Sequence, residues 1–358
     1  MWKLPSTLAR GVEAVTTVSD VLQTGMRTAA ELCIGASRLG GRAGPGGART
    51  GHRKRHPAPA EEVSFAEGHL DGLGAITLAY RRQGTGEPVV LLHGIGQDLH
   101  AWDQVVPLIA AEREAIALDL PGFGRSPDLP DGLPRDLPTM VAGLDAVFTT
   151  LGVHRPHLIG HSLGGLIALR LAQAGLARSV TALAPAGFWN EVERRYAYAV
   201  LTTARQLARL PDPVVERMAG SVVGRAALTG VLYGHADSCP PDTLVTCLHA
   251  LRQAVAFEAT LRAGRAPDLF TGTISDIPVT IAWGTCDRIL PGRQAARVTA
   301  MIPQARLVQL PGCGHVPMND APDQVAGLIL QTTAAGPAAR AKQPRGRRCV
   351  SAPASTRA

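Results

Sequence analysis

The apolar residues of this chain follow a strand pattern from about residue 69 onwards. Short apolar runs predict strands over residues 76–82, 88–92, 115–120, 156–159, 180–184, 279–283 and 306–310. Several runs are continuous rather than alternating, which is typical of parallel strands that are covered on both faces. Stretches with helical spacing separate most of them. The pattern therefore predicts a doubly wound, mostly parallel α/β sheet.

The strand pattern stops over residues 188–276 and resumes at residue 277. Within this interval, Pro and Gly residues separate helical stretches at 191–210, 213–223, 225–233 and 242–263. We therefore expect a core formed by residues 61–187 and 277–335, with a helical insertion at 188–276. The apolar positions of the insertion suggest an apolar cavity, although most of them are expected to form the insertion's own core: Val200, Leu201, Leu207, Val231, Leu232, Leu248, Leu251 and Val255.

The two ends of the chain lack the strand pattern. Apolar residues between Leu8 and Cys33 recur every three or four positions, which predicts an amphipathic helix. A Gly-rich and Arg-rich stretch follows, so residues 1–60 are interpreted as a helix plus a flexible basic linker, and residues 336–358 as a disordered basic tail. We expect the helix to pack on the core or on another subunit. Packing on another subunit would be self-association through residues 4–36; peripheral membrane attachment of the same segment, aided by the basic run after it, is the alternative.

Charge and composition exclude several function classes. The net charge of +7 comes from the ends, because residues 1–60 hold nine Lys or Arg against three acids and residues 340–358 hold six against none. A nucleic-acid partner is not expected, since the middle of the chain has no cluster of basic residues.

No apolar run is long enough to span a membrane and no secretion signal is evident, so we expect a cytoplasmic protein. Six cysteines lack metal-binding or disulfide-scaffold spacing.

One pentapeptide carries a chemical signature, Gly160-His161-Ser162-Leu163-Gly164. It lies between a predicted strand and a predicted helix, where a tight turn exposes a serine nucleophile. Such a turn strains the serine backbone and leaves no room for side chains two positions before and after it. Glycine at both positions fits that requirement. The pentapeptide therefore predicts a nucleophilic serine at position 162.

Further motifs follow other predicted strands in an order that resembles the α/β-hydrolase family over residues 69–332. They are His93-Gly94-Ile95-Gly96, Asp119 to Ser126, Trp283 to Asp287 and Gly312-Cys313-Gly314-His315. The resemblance implies an oxyanion loop, an acid loop and a histidine loop, and a cap made by the insertion. Ligands of such sheets bind outside the carboxyl ends of the strands, where these motifs lie.

The chemistry of acyl transfer assigns a role to each residue. Ser162 needs a base to remove its proton, and His315 is the candidate base. A carboxylate on the far nitrogen orients that imidazole and stabilises its charge, and Asp287 is the candidate. The backbone N–H groups of Ile95 and Leu163 are expected to form the oxyanion hole. No sequence feature implies a metal or an organic cofactor.

Other residues compete for these roles. His93 and His161 also lie near the expected site, and Asp276 and Asp320 are alternative acids. Cys286 and Cys313 flank the acid and the histidine, and two small buried thiols are a simpler interpretation than a redox pair.

The reaction expected from these residues is hydrolysis of a carboxylic ester with an apolar or medium-sized acyl or alcohol part. Family members that open epoxides or remove halogens carry aspartate as the nucleophile, so Ser162 disfavours those activities. Hydrolysis of carbon–carbon bonds, lactones or amides, and perhydrolysis, remain open with the same triad. A low-turnover ligand receptor or scaffold is the alternative outside enzymology.

Overall fold

An eight-stranded sheet forms the centre of the described chain. The computed structural model describes residues 63–335, apart from 73, 235–239 and 275–276. Within these residues the strand order is β1-β2-β4-β3-β5-β6-β7-β8; β2 is antiparallel to both neighbours and every other pair is parallel. This arrangement confirms the predicted fold class. The strands are β1 Ser64–Leu70, β2 Gly74–Gln83, β3 Pro88–Leu92, β4 Glu114–Leu118, β5 His157–His161, β6 Ser179–Leu183, β7 Val279–Gly284 and β8 Arg306–Leu310.

Helices cover both faces of the sheet. Successive side chains of a strand point to opposite faces, so Val90 and Leu92 join one apolar cluster while Val89 and Leu91 join the other. This two-sided burial explains why the central strands are continuously apolar. The helices of the described residues are α1 Val106–Ile109, α2 Leu137–Thr150, α3 Leu163–Gln173, α4 Glu191–Ala208, α5 Asp212–Ala219, α6 Val222–Thr229, α7 Pro241–Gln253, α8 Phe257–Ala263, α9 Arg293–Met301, α10 Pro317–Asp320 and α11 Pro322–Ala334, with a 3₁₀ turn at Leu99–Trp102.

The first strand was not among the predicted ones. β1 lies at the edge of the sheet and pairs only with β2, in antiparallel register. Only Ala66 and Gly68 of its seven residues are buried, and Phe65 is 55% exposed. An edge strand that buries so little carries no apolar run, which is why the hydrophobic pattern did not predict it.

The helices of the insertion differ from the prediction at one place that matters for the site. The predicted helix over 242–263 is wrong, because α7 ends at Gln253 and α8 begins at Phe257. In the break, the Ala256 N–H donates to the carbonyl of Gly122 in the core (3.1 Å). Val255 lies in the same break and is 66% exposed, so it belongs neither to the core of the insertion nor to a cavity, contrary to the expectation for the apolar positions of the insertion. The break thus coincides with a contact to the core, which the local pattern of the chain does not indicate.

The predicted elements at both ends of the chain lie outside the described residues. These are the amphipathic helix and linker of residues 1–60 and the basic tail of residues 336–358. In the part of the chain that the structure describes, none of the helices combines the length and the apolar character needed to span a membrane.

Candidate active site

Ser162 occupies a strained turn between β5 and α3. Its backbone has φ 50° and ψ −110°, a conformation that L-residues rarely adopt. The Ser162 N–H donates to the carbonyl of Leu183 on β6 (2.9 Å), and α3 begins at the next residue. Strain of this kind persists only where the surrounding structure imposes it, and it is concentrated at functional sites.

The glycines on either side of Ser162 let backbone pack on backbone. A Cβ atom on Gly160 would lie 2.1 Å from the carbonyl oxygen of Gly164, and one on Gly164 would lie 2.2 Å from that of Leu92. Neither neighbour is a side chain that could rotate away. The turn is therefore held between β3 and α3 by contacts that only glycine permits.

Asp287 and His315 form a buried pair. Asp287 follows β7, and its Oδ1 atom accepts the N–H groups of Ile289 and Leu290, each at 2.9 Å. Its Oδ2 atom lies 2.8 Å from Nδ1 of His315, and its side chain is fully buried. A carboxylate there accepts a hydrogen bond from the Nδ1–H group, so the neutral imidazole keeps its lone pair on Nε2.

The side chains of Ser162 and His315 line one small cavity, called the serine cavity here. It measures about 50 Å³, and Ile95 and Leu163 also contribute to it. The insertion covers it with side chains that include Tyr198, Leu201 and Leu269. The structure thus brings the predicted nucleophile, base and oxyanion-hole residues to one cavity, with Asp287 directly behind the base.

The two backbone N–H groups proposed for the oxyanion hole lie in suitable local structures. Leu163 is the first residue of α3, and the first N–H groups of a helix have no carbonyl partner within it. The helix dipole also favours negative charge at that end. Ile95 lies in a turn closed by a hydrogen bond from the Gln97 N–H to the Gly94 carbonyl (3.2 Å), next to Gly96 at φ 73°.

The two competing histidines make structural hydrogen bonds. In His93, Nδ1 donates to the Gly94 carbonyl (2.7 Å) and Nε2 accepts the Leu120 N–H (3.0 Å), so no nitrogen is free to act as a base. Burial lowers the pKa of His93 to about 4. In His161, Nε2 donates to the backbone carbonyl of His315 (2.7 Å), and burial lowers its pKa well below the ordinary value.

The remaining alternatives have other contacts. The Oδ2 atom of Asp320 accepts the N–H groups of Gly314 (2.7 Å) and Gly234 (2.9 Å). Asp276 lies outside the described residues. The Cys286 N–H donates to the Cys313 carbonyl (2.9 Å), and burial raises the pKa of the Cys313 thiol to about 11, which keeps it uncharged at neutral pH.

Two residues around the site, Gln97 and Tyr196, match none of the sequence patterns used above. The Oε1 atom of Gln97 accepts the Gly94 N–H (2.9 Å) in the oxyanion loop and lies 2.8 Å from His161 Nδ1 of the elbow. Tyr196 of the insertion donates its hydroxyl to the Arg288 carbonyl beside Asp287 (2.8 Å). The proximity of Gln97 to His161 and the hydrogen bond of Tyr196 to Arg288 involve residues 64 and 92 positions apart, so no local pattern indicates them. Among the described residues, no three His, Cys, Asp or Glu side chains cluster in a way that could hold a metal ion.

Comparison with known proteins decides the family. The model of the alpha/beta hydrolase family matches residues 89–328, which is more than half of the chain. The chain belongs to the alpha/beta hydrolase family. This membership confirms the resemblance inferred from the sequence motifs.

Similar proteins differ in their described activities. An uncharacterised protein of Mycobacterium tuberculosis (strain H37Rv) is 30% identical over 77% of this chain and 84% of that protein. The dihydrolipoyllysine-residue acetyltransferase component of the acetoin cleaving system of Pseudomonas putida is 31% identical over 68% of this chain and 63% of that protein. A thermophilic esterase from Thermogutta terrifontis has a similar structure, with a TM-score of 0.58, 23% identity and coverage of 75% of this chain and 97% of that one.

Proposed function

We propose that this alpha/beta hydrolase is a serine hydrolase that cleaves carboxylic esters through an acyl-enzyme. The observation that carries the proposal is the arrangement around the serine cavity. Ser162 sits in a strained strand-to-helix turn, and His315, whose Nδ1 lies 2.8 Å from the buried Asp287, lines the same cavity. A nucleophile, a base and an orienting acid in this relation are the requirements of acyl transfer.

The first half of the proposed reaction is attack by Ser162. His315 Nε2 takes the hydroxyl proton as Oγ forms a bond to the acyl carbon, and Asp287 stabilises the imidazolium that results. The carbonyl oxygen becomes negative, and the N–H groups of Ile95 and Leu163 donate to it. When the intermediate collapses, the bond to the alcohol oxygen breaks, and His315 returns the proton to that oxygen.

The second half repeats the chemistry with water. The acyl group is now esterified to Ser162, and His315 removes a proton from a water molecule as the water attacks the acyl carbon. Collapse of the second intermediate releases the carboxylic acid and returns the proton to Ser162. Because the side chains return to their initial protonation states, the residues described above suffice for the cycle.

The dimensions of the cavities support an apolar or medium-sized substrate. The serine cavity of about 50 Å³ has room for roughly four water-sized groups, the size of an acetyl ester centre. A second cavity of about 280 Å³, called the outer chamber here, shares Leu163, Leu166, Thr260, Gly264 and Leu269 with it. Apolar side chains such as Met140 and Ile167 line the outer chamber. We propose that the insertion acts as the cap and that an acyl or alcohol chain extends into this chamber.

Covalent labelling tests the proposal directly. A fluorophosphonate probe is expected to label the folded wild-type chain at Ser162, identified by peptide mass spectrometry. The Ser162→Ala variant removes the nucleophile and is expected to lose labelling and ester turnover while keeping its circular dichroism spectrum. Equal labelling of the variant, or an unlabelled but folded wild type, would refute the assignment.

A substrate panel separates the ester proposal from the reactions that share its triad. p-Nitrophenyl esters of acetate to decanoate are compared with a lactone, an anilide and a diketone that needs carbon–carbon cleavage. We expect the highest kcat/KM for an ester with more than four acyl carbons, because the outer chamber offers apolar surface beyond the serine cavity. Labelling without turnover of any compound would favour a receptor.

A further inference from the structure

The histidine loop (residues 312–316) is held by the insertion as well as by the core. The His315 N–H donates to the Leu232 carbonyl (2.7 Å), and the Val316 N–H donates to the same oxygen (3.2 Å). Leu232 belongs to the insertion, so the backbone of the candidate base is positioned from the cap side. The Leu232 carbonyl therefore holds the backbone of both His315 and Val316.

Glycines pack these two segments tightly. A Cβ atom on Gly234 would lie 1.8 Å from the Gly312 carbonyl oxygen, and one on Gly314 would lie 2.6 Å from the backbone nitrogen of Gly234. On the other side of the loop, a Cβ atom on Gly284 at the end of β7 would lie 2.2 Å from the Gly314 carbonyl oxygen. The histidine loop is thus layered between β7 and segment 232–234 with no side chains in between.

Asp320 lies at the junction of the two segments. Its Oδ2 atom accepts one N–H from each, Gly234 at 2.9 Å and Gly314 at 2.7 Å. Gly314 is the residue immediately before the candidate base, whose imidazole is paired with Asp287. Hydrogen bonds to a carboxylate are shorter and stronger than those to neutral acceptors. One oxygen therefore joins the loop that carries His315 to the segment that belongs to the cap.

We propose that Asp320 is a positioning residue that fixes His315 relative to Ser162 by joining the histidine loop to the cap. The proposal rests on the proposed serine hydrolase function. Asp320 does not line the serine cavity, so we assign it no part in proton transfer. Removal of the Asp320 carboxylate leaves the Asp287 and His315 side chains unchanged. It is expected to loosen the backbone that carries the His315 imidazole.

The experiment compares Asp320→Ala, Asp320→Asn and Asp320→Glu in the full chain. Alanine removes the acceptor, and we expect kcat for a p-nitrophenyl ester to fall about 10- to 100-fold with KM within about twofold, because small errors in the placement of catalytic groups are costly. Asparagine keeps an oxygen at the same position and is expected to retain kcat within about threefold. Glutamate keeps the charge but moves the oxygen by one methylene group, and it is expected to lower kcat more than asparagine does.

A matched control distinguishes positioning from loss of stability. Asn190→Ala removes the side-chain cap of α4, to which the Glu193 N–H donates (2.9 Å), in another part of the insertion. We expect it to lower the melting temperature while leaving kcat within about twofold. If Asp320→Ala lost only stability, as Asn190→Ala does, the positioning role would be refuted. Equal damage by asparagine and alanine would also refute it, because the acceptor oxygen would then not matter.

Hydrogen exchange tests the coupling without any substrate. In Asp320→Ala, amide exchange in peptides that cover residues 230–234 and 312–316 is expected to accelerate together, and in Asp320→Asn to stay near the wild-type rates. Acceleration in one segment alone, or in neither, would overturn the proposed link. Fluorophosphonate labelling of the wild type is measured in parallel, so failure of the serine hydrolase proposal is recognised separately from failure of the role of Asp320.

Discussion

The elbow around Ser162 and the helical insertion above it are packed in different ways. At the elbow, a Cβ atom on Gly164 would lie 2.2 Å from the backbone carbonyl oxygen of Leu92. In the insertion, a Cβ atom on Gly264 would lie 2.4 Å from the hydroxyl at the end of the Tyr198 side chain. A side-chain end can rotate, whereas the backbones of α3 and β3 are fixed by their own hydrogen bonds and cannot move apart. The difference indicates that the core fixes the turn around Ser162, while the part of the insertion at Gly264 can change the shape of the site at lower cost. At Gly234, by contrast, the insertion packs backbone on backbone as the elbow does.

The same contrast holds for two aspartate–histidine pairs. In the core, Asp287 and His315 are both buried and lie 2.8 Å apart. In the insertion, Asp212 and His249 lie 3.3 Å apart and about half of the Asp212 side chain is exposed. Exposed pairs contribute little because water and salt screen them. Only the core pair is buried enough to control which nitrogen of its histidine carries the proton.

The largest expected effect comes from Asp287→Asn. The amide oxygen is expected to keep the hydrogen bonds from Ile289 and Leu290, which leaves the amide N–H₂ facing His315 Nδ1. Nδ1 must then accept, so the proton moves to Nε2 and the base can no longer take the proton of Ser162. We expect kcat to fall about 10⁴-fold with little change in KM. Steady-state kinetics with a p-nitrophenyl ester measures both.

Asp212→Asn is the matched control for that prediction. It also removes a carboxylate beside a histidine, but on the exposed surface of the insertion. We expect kcat and KM to stay within about twofold of the wild type. If Asp287→Asn lowered kcat no more than Asp212→Asn does, the buried pair would not have the special role assigned to it. Another carboxylate would then orient the base.

The features that could be predicted from the sequence are those in which the residues of a short segment determine its backbone conformation. The glycines two positions before and after Ser162 indicate a tight turn, and residues that follow parallel strands meet at one edge of the sheet. These rules led to the fold class and to the prediction that Ser162, Asp287 and His315 share a site. They depend on spacing within about ten residues, which a single sequence displays directly.

The features that could not be predicted depend on contacts between distant segments. The break between α7 and α8 coincides with a hydrogen bond from Ala256 to Gly122, more than 130 residues earlier in the chain. The hydrogen bonds of Asp320 join Gly234 to Gly314 across 80 residues. Alanine and aspartate at these positions satisfy many local patterns, so their sequence neighbours indicate neither contact.

Two glycine-to-alanine variants compare the elbow and the insertion by stability. Gly164→Ala places a methyl group against backbone that cannot move, and we expect it to lower the free energy of unfolding by about 3 kcal/mol or more. Gly264→Ala meets only the Tyr198 hydroxyl at an ordinary φ of −68°, so the expected change is within about 1 kcal/mol. Urea unfolding followed by circular dichroism gives both values. Similar losses in the two variants would show that the insertion is as rigid as the elbow.

The smallest expected effect concerns selectivity and comes from Ala263→Phe. Ala263 lines the outer chamber and is absent from the lining of the serine cavity, so the larger side chain is expected to fill the chamber and leave the catalytic residues in place. We expect kcat/KM for p-nitrophenyl octanoate to fall about tenfold, or about 1.4 kcal/mol, which is less than the burial of two methylene groups contributes. The value for p-nitrophenyl acetate is expected to stay unchanged, because an acetyl group fits within the serine cavity.

Ala296→Phe, at an exposed position of α9, is the control for adding an aromatic ring. An equal loss for both esters in Ala263→Phe would mean that the acyl chain does not enter the chamber, and the insertion would then select substrates through other residues.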